Sequence, residues 1–284
     1  MIITQINGGL GNQLFQYCSA KALSLHKNIP LLLDLSYFEA TGKKDDLHFF
    51  KLTEKKATAA ELYPYYNQHI FKKITQRLTR KHHRDIYKEP FFHYDPHFFS
   101  VNDNVMLKGL RQSEKYFTNY KNEIRSLLTI KEESIQNVLH FKNELNNQES
   151  VSIHIRRGDY LTKVALHVLG LMDKDYYLRA FETISRTIKS PKVYYFSDDI
   201  EWVEKELLPL IPGELVAKRQ PTNHIEDFYL MSQCKHNIIA NSSFSWWAAW
   251  LNNNPEKIVI APKNWFNKGP KDTQDLVPES WLRI

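Results

Sequence analysis

From Val151 onward, short apolar runs alternate with amphipathic stretches at a spacing that few folds can use. Strands are expected near 151–156, 192–196, 214–217, 237–240 and 257–260, with helices near 174–189, 199–208, 225–235 and 244–252. Such strand–helix alternation builds a parallel sheet through right-handed crossovers. The amino-terminal half opens the same way. A strand at 2–6 meets the glycine-rich turn Asn7-Gly8-Gly9-Leu10-Gly11-Asn12-Gln13, then a helix over 14–26 and a second strand over 30–35 that carries Asp34 near its end. Between 36 and 96 the pattern loosens. A strand at 104–110 and helical stretches at 113–128 and 132–145 follow, and the polar run Asn146-Asn147-Gln148-Glu149 reads as a domain joint. The expected architecture is α/β, with two Rossmann-like domains at 1–147 and 148–284. The last roughly 20 residues are left free to return to the first domain.

Composition narrows the class. The 284 residues are 42% hydrophobic and 25% charged, an ordinary globular balance. Cys18 and Cys234 each sit in an apolar, helix-like run and are expected to be buried thiols, without a disulfide framework or zinc site. No apolar run reaches the roughly 18 residues that a membrane span needs, and no secretory leader is expected at the start, so a cytoplasmic protein is expected. The net charge of +6 favours anionic partners without choosing one. Residues 71–84 hold Lys72, Lys73, Arg77, Arg80, Lys81 and Arg84 and no acid, with Phe71, Ile74 and Leu78 at helical spacing. That stretch reads first as a solvated surface helix; the alternative is peripheral contact with an anionic membrane at its inner face.

Polar side chains gather at three strand ends in the second half. In Val151-Ser152-Ile153-His154-Ile155-Arg156-Arg157-Gly158-Asp159-Tyr160, the apolar residues share one parity while Ser152, His154 and Arg156 share the other. Arginines at the carboxyl end of a parallel strand offer planar, permanent charge to a phosphate or diphosphate, where open α/β sheets bind ligands. A salt-bridged strand end is the plainer alternative. The strand Tyr194-Tyr195-Phe196-Ser197 ends in Asp198 and Asp199, carboxylates suited to ribose hydroxyls or purine N–H groups, with helix N-capping the equal alternative for Asp199. The third strand runs into Asn241-Ser242-Ser243-Phe244-Ser245 at a helix start, where backbone N–H groups and hydroxyls suit an anion beyond the needs of one cap. Trp246, Trp247 and Trp250 read as packing, and His224, Glu226 and Asp227 as a helix start. Asp173-Lys174-Asp175 has the D-x-D form of metal-dependent transferases but precedes an amphipathic helix, so capping explains it better. No metal cluster is expected.

Together these motifs resemble the bacterial α-1,2-fucosyltransferases, glycosyltransferase family 11. The matching stretches are Gly8-Gly9-Leu10-Gly11-Asn12-Gln13, His154-Ile155-Arg156-Arg157-Gly158-Asp159-Tyr160, Phe196-Ser197-Asp198-Asp199, and Asn241-Ser242-Ser243-Phe244-Ser245-Trp246-Trp247. The resemblance implies a GT-B fold, two Rossmann-like domains facing across a cleft, with the first domain on the acceptor side and the second binding the donor. It implies GDP-β-L-fucose as donor, inversion at the anomeric carbon and no metal or other cofactor. The acceptor would be a galactose-terminated oligosaccharide of a surface glycan or O-antigen, lipid-linked or free, and nucleic acid would have no part. Arg156 would contact the donor β-phosphate. Gly9, Gly11, Asn12, His154, Arg157, Asp198, Asp199, Asn241, Ser242, Ser243, Phe244 and Ser245 would complete the donor site, with His154 and Asp198 or Asp199 on the guanosine side.

Inverting transfer needs a proton acceptor late in the reaction. The α-1,6 relatives carry a glutamate shortly after their arginine motif, where this chain has Val164. Asp159, Asp227 and Asp34 remain as candidates for the base. The competing readings are another GDP-sugar-dependent GT-B enzyme and, from a different class, a non-catalytic nucleotide- or polyanion-binding module.

Overall fold

The computed structural model describes every residue except 70, 72, 73, 76 and 77. The chain divides into two compact units, Met1–Thr129 with Gln274–Leu276, and Ile130–Thr273 with Val277–Ile284.

The first unit holds β1 (Ile2–Gln5), β2 (Leu31–Asp34), β3 (Lys55–Lys56), β4 (Ile86–Lys88) and β5 (Val105–Lys108), hydrogen-bonded in the order β3-β2-β1-β5-β4. Every described pairing in it is parallel. The helix Leu10–Lys27 covers this sheet and buries nearly all of its first four turns. It starts four residues before the expected 14, because Gly9 caps it and the residues Gly11-Asn12-Gln13 are already helical. It ends at Asn28 in the left-handed region, a stop well suited to asparagine. Strand order reverses between β1 and β5, so the Gly8–Gly9 turn and the residues after Lys108 lie at a switch point.

The second unit holds β6 (Ser150–Ile155), β7 (Lys192–Ser197), β8 (Gly213–Leu215), β9 (His236–Ile238), β10 (Val259–Ala261) and β11 (Leu282–Arg283), in the order β11-β10-β9-β6-β7-β8, again parallel throughout. All six residues of β6 are buried, as a central strand covered on both faces requires. The expected helices are present at Lys174–Ser185, Ile200–Leu207, His224–Gln233 and Ser243–Leu251, the second of them widening into a π-turn at Val203–Leu207. After β6 the chain steps to β7 and β8, then crosses to the other side for β9. The switch point of this sheet therefore lies between β6 and β9, where the Arg156 loop and the Asn241 loop emerge.

Two expectations about boundaries differ from the structure. Residues 130–147 group with the second unit, because Arg219 grips Glu144 with two hydrogen bonds of 3.0 and 2.8 Å and stacks on Phe141. Tyr194 on β7 donates to the same carboxylate. Hydrogen bonding to Arg219 and Tyr194, against a smaller opposing effect of burial, holds the Glu144 carboxyl down at about 2. The carboxyl-terminal tail completes the second sheet as β11, and only Gln274–Leu276 groups with the first unit, where Asp275 accepts from Tyr94 N and Lys115 Nζ. Cys18 and Cys234 are buried thiols, as expected.

Candidate active site

Arg156 follows the last residue of β6, so its backbone leaves the sheet at the mouth while its guanidinium stays half-buried. Its Nη2 lies 2.8 Å from Asp159 Oδ1 and its Nη1 3.1 Å from Asp198 Oδ2. Burial works against the guanidinium charge, but the hydrogen bond it donates to Asp159 and the charges of Asp198 and Asp159 raise its pKa above the ordinary value. Asp198 reaches Arg156 because β6 and β7 pair in register, Ile155 opposite Ser197. Its second oxygen accepts from Arg157 N at 2.8 Å. Gly158 permits that closure: a Cβ there would sit 3.0 Å from Asp198 Oδ2 and 3.2 Å from its Cγ.

Arg157 turns the other way. Its Nε is 2.9 Å from Asp199 Oδ2 and its guanidinium lies 4.5 Å from the centre of the Trp202 ring. Asp199 also caps its helix, accepting from Trp202 N at 3.1 Å. Both carboxylates expected to face the nucleoside are held by arginines, and Asp199 is in addition a helix N-cap.

On the neighbouring strand end, Asn241 is buried and donates to the backbone oxygens of Leu169 and Trp265, tying three loops together. Its Oδ1 is buried with no hydrogen-bond partner. Tyr160 joins the two loops, its hydroxyl donating to Asn241 O at 3.1 Å and its ring 5.8 Å from the Arg156 guanidinium. Ser242 is the N-cap of Ser243–Leu251, accepting from Phe244 N, and Ser245 donates back to Ser242 O. Phe244 stands between His154, with ring centres 5.7 Å apart, and Phe228 at 5.4 Å. Burial, then the Arg156 charge, pushes the His154 imidazole down to about 3, so it is neutral, and its Nδ1 is buried without a partner. Trp246, Trp247 and Trp250 are buried packing residues. Asp173 is an N-cap, accepting from Tyr176 N. Among the described residues no cluster of three His, Cys, Asp or Glu could hold a metal ion.

The remaining candidates lie elsewhere. Asp227 belongs to the first turn of His224–Gln233, where Thr222 donates to it at 2.5 Å; burial, opposed by that bond and helped by Glu226, raises its carboxyl to about 6. Nothing described joins it to Arg156. In the first unit, Gly8 has a φ of +76°, and a Cβ there would meet Asn12 Nδ2 at 3.1 Å. Gly9 caps the helix Leu10–Lys27 with no side-chain bond, Gly11 is buried in its first turn, and Asn12 Oδ1 accepts from Gln112 Nε2 at 2.8 Å. Asp34 is buried, accepting from Ser36 N at 3.1 Å and from the Tyr66 hydroxyl at 2.5 Å. Sequence reasoning missed Trp202 and Gln112, whose partners are 45 and 100 positions away and become neighbours only through the sheets.

The sequence profile of glycosyl transferase family 11 matches residues 1–284. The chain belongs to glycosyl transferase family 11. Relatives of this family 11 chain include the α-1,2-colitosyltransferase of Escherichia coli, 32% identical over 100% of this chain and 99% of the relative. The O-antigen biosynthesis glycosyltransferase WbnK of Escherichia coli is 30% identical over 98% and 99%. The galactoside α-(1,2)-fucosyltransferase 1 of Bos taurus is 28% identical over 63% of this chain and 53% of its own length. Among solved structures, NodZ α-1,6-fucosyltransferase soaked with GDP-fucose superposes with a TM-score of 0.51 at 15% identity, covering 88% of this chain and 91% of that one. A variant of Arabidopsis thaliana FUT1 in complex with GDP gives 0.57 at 11% identity, covering 99% and 75%. These likenesses establish the fold, which is of the GT-B type with two parallel-sheet domains. The family member is a glycosyltransferase.

Proposed function

We propose that this enzyme transfers L-fucose from GDP-β-L-fucose to the 2-hydroxyl of a terminal galactose, with inversion, in O-antigen or surface-glycan synthesis. The observation that carries the reading is Arg156, a guanidinium 34% exposed at the switch point of the second sheet, whose loop is tied through Tyr160 to the Asn241 loop that opens the helix at Ser243. The acceptor oxygen attacks the fucose anomeric carbon, the bond from that carbon to the β-phosphate oxygen breaks, and GDP leaves with the electron pair. The leaving diphosphate gains charge, and a fixed guanidinium and helix N-terminus stabilise that charge most in the transition state. No metal has a part in this reading. A diphosphate at Arg156 would compete with Asp159, which is 62% exposed and so the easier partner to displace. The freed carboxylate could then take the acceptor proton, which makes Asp159 the preferred base; Asp227 and Asp34 lack a described contact with Arg156.

A second reading is favoured by one comparison. The relative that matches the full length of this chain at 32% identity is named for colitose, which is L-fucose without its 3-hydroxyl. The test is turnover of GDP-fucose and GDP-colitose with a panel of β-galactosides in EDTA, followed by NMR assignment of the linkage. An α-1,2-fucosylated galactoside formed in EDTA is expected. Preference for GDP-colitose would select the second reading, dependence on added Mn²⁺ or Mg²⁺ would overturn the metal-free chemistry, and absence of transfer would overturn both donors.

Among the described residues no helix is long and apolar enough to cross a membrane. Phe71, Ile74 and Leu78 are 71%, 49% and 86% exposed, so this apolar stripe is not spent on the core. Lys72, Lys73 and Arg77 of the basic run lie outside the described residues. We take this segment as the peripheral contact with an anionic membrane, and Phe71→Ser with Leu78→Ser should lower binding to phosphatidylglycerol vesicles while leaving turnover of a water-soluble acceptor intact. Unchanged vesicle binding would return the segment to a solvated helix.

A further inference from the structure

The first unit carries a cavity of about 810 Å³ beyond the carboxyl ends of β2 and β3. Its size falls in the roughly 300–1,000 Å³ range of ligand pockets. Ser36, Glu39, Lys56, Thr58, Tyr63 and Tyr66 are among the residues that line it. None of the Arg156 group belongs to it.

Three features define what it could hold. Two aromatic rings stand open to it, Tyr63 at 64% and Tyr66 at 40% exposure, in a protein that buries most of its large aromatic side chains. Tyr66 is fixed in orientation: Gln5 Nε2 donates to its hydroxyl at 2.9 Å, the hydroxyl donates to the buried Asp34, and Lys108 Nζ sits 4.4 Å from its ring centre. A ring clamped this firmly and still partly bare is a platform, since stacking costs it no further ordering. The rim is polar but balanced, Lys56 being ion-paired with Glu39 and both side chains about half exposed.

The same features weigh against an anion. The helix Ala59–Tyr66 begins at this cavity, and a capping box closes its start, Thr58 Oγ1 accepting from Glu61 N while the Glu61 carboxylate, accepting from Thr58 N, sets a negative charge there. Among the described lining residues Lys56 is the one lysine and is ion-paired with Glu39, and Asp34 lies under Tyr66. What remains is a neutral ligand with apolar faces for the rings and hydroxyls for the Lys56–Glu39 rim. A pyranose has both.

We propose that this cavity is a saccharide subsite that holds part of the acceptor oligosaccharide, with Tyr63 and Tyr66 stacking on sugar faces. Its assignment to the acceptor rests on the glycosyl-transfer reading above; its affinity for neutral sugar does not. The test uses the intact chain, with Tyr63→Ala and Tyr66→Phe as variants and lactose and lacto-N-tetraose as probes. Saturation-transfer NMR reads glycan binding directly, steady-state kinetics reads the KM of acceptor and donor separately, and thermal melts report folding.

Loss of one stacking ring is expected to weaken glycan binding and raise acceptor KM by roughly five- to tenfold. Donor KM and Tm should stay at wild-type values in Tyr63→Ala, whose ring is exposed. Tyr66→Phe should give a smaller rise, because the ring remains and only its hydroxyl's hydrogen bonds to Asp34 and Gln5 are lost. Wild-type glycan binding by a well-folded Tyr63→Ala would overturn the subsite, as would a parallel rise in donor KM. Glycan binding that depends on Tyr63 in a chain that transfers no sugar would fault the transferase reading and leave the subsite standing.

Discussion

Arg111 and Arg156 occupy comparable places and do opposite things. Each follows a central parallel strand, Arg111 three residues after β5 and Arg156 directly after β6. Arg111 is wholly buried with a φ of +50°, its Nε donating to Ser19 Oγ and its Nη2 to Thr4 Oγ1 and the Gln16 carbonyl. Burial lowers its pKa, with Glu89, Tyr116 and Tyr87 offsetting part of that cost, and its Nη1 has no hydrogen-bond partner. Its partners are neutral groups of the helix and strand that it locks together, so no ligand can replace them. Arg156 has 34% of its side chain exposed and is held by two carboxylates that are themselves partly in solvent. An arginine whose counter-charges can be displaced is available to a ligand; one hydrogen-bonded into the core is a structural tie.

That contrast can be broken or sharpened by substitution. Arg111→Ala would remove a large, wholly buried side chain and its hydrogen bonds to Ser19, Thr4 and the Gln16 carbonyl, leaving a cavity between helix and sheet, and is expected to cost about 3–5 kcal/mol. For a domain of this size that is a Tm loss of roughly 6–20 °C, read by a thermal melt, with kcat of the folded fraction near wild type. Arg156→Ala should do the reverse, lowering kcat about a hundred- to thousandfold, or about 2.7–4 kcal/mol, while Tm barely moves, because exposed ion pairs contribute little. Equal Tm losses in the two variants would erase the distinction.

His154 gives a smaller effect with a definite sign. Its folded value of about 3 lies below the ordinary 6.5, so the native state binds fewer protons than the unfolded chain as acid is added. Its contribution to stability is therefore complete above pH 6.5 and is lost as the pH falls toward 3. Wild type should lose Tm more steeply than His154→Phe between pH 6.5 and 4, and parallel curves would place the imidazole in solvent. Arg157→Lys is expected to matter least. It keeps the charge opposite Asp199 while weakening the stack on Trp202, for a kcat within tenfold of wild type and a slightly lower Tm.

The parts of this molecule that were legible in sequence are those with a repeating period. β6, β7 and their crossover helices were visible because buried parallel strands are nearly continuous runs of Val, Ile, Tyr and Phe, and the helices between them keep an apolar stripe. β3 is only Lys55-Lys56, and β4 is Ile86–Lys88, too short to show any period. The helix Lys163–Val168 leaves Val164 and Leu166 exposed, so hydrophobic spacing could not mark it. The start of Leu10–Lys27 was hidden by Gly11 and Asn12, poor helix formers that the glycine turn requires. At the site, the residue types were legible and their pairings were not. Nothing local ties Arg156 to Asp198 or Arg157 to Asp199, 42 positions apart in each case, until Ile155 pairs opposite Ser197.

The central claim is that Arg156 meets the second phosphate of the donor, the one that leaves. The direct measurement is calorimetric affinity for GDP and for GMP in wild type and Arg156→Ala, since GMP keeps the guanosine and first phosphate but lacks the second. Loss of one charge-assisted contact should weaken GDP about 10- to 100-fold, leaving GMP within a few-fold of wild type. GDP affinity unchanged in the variant, or GDP and GMP weakened equally, would contradict the account.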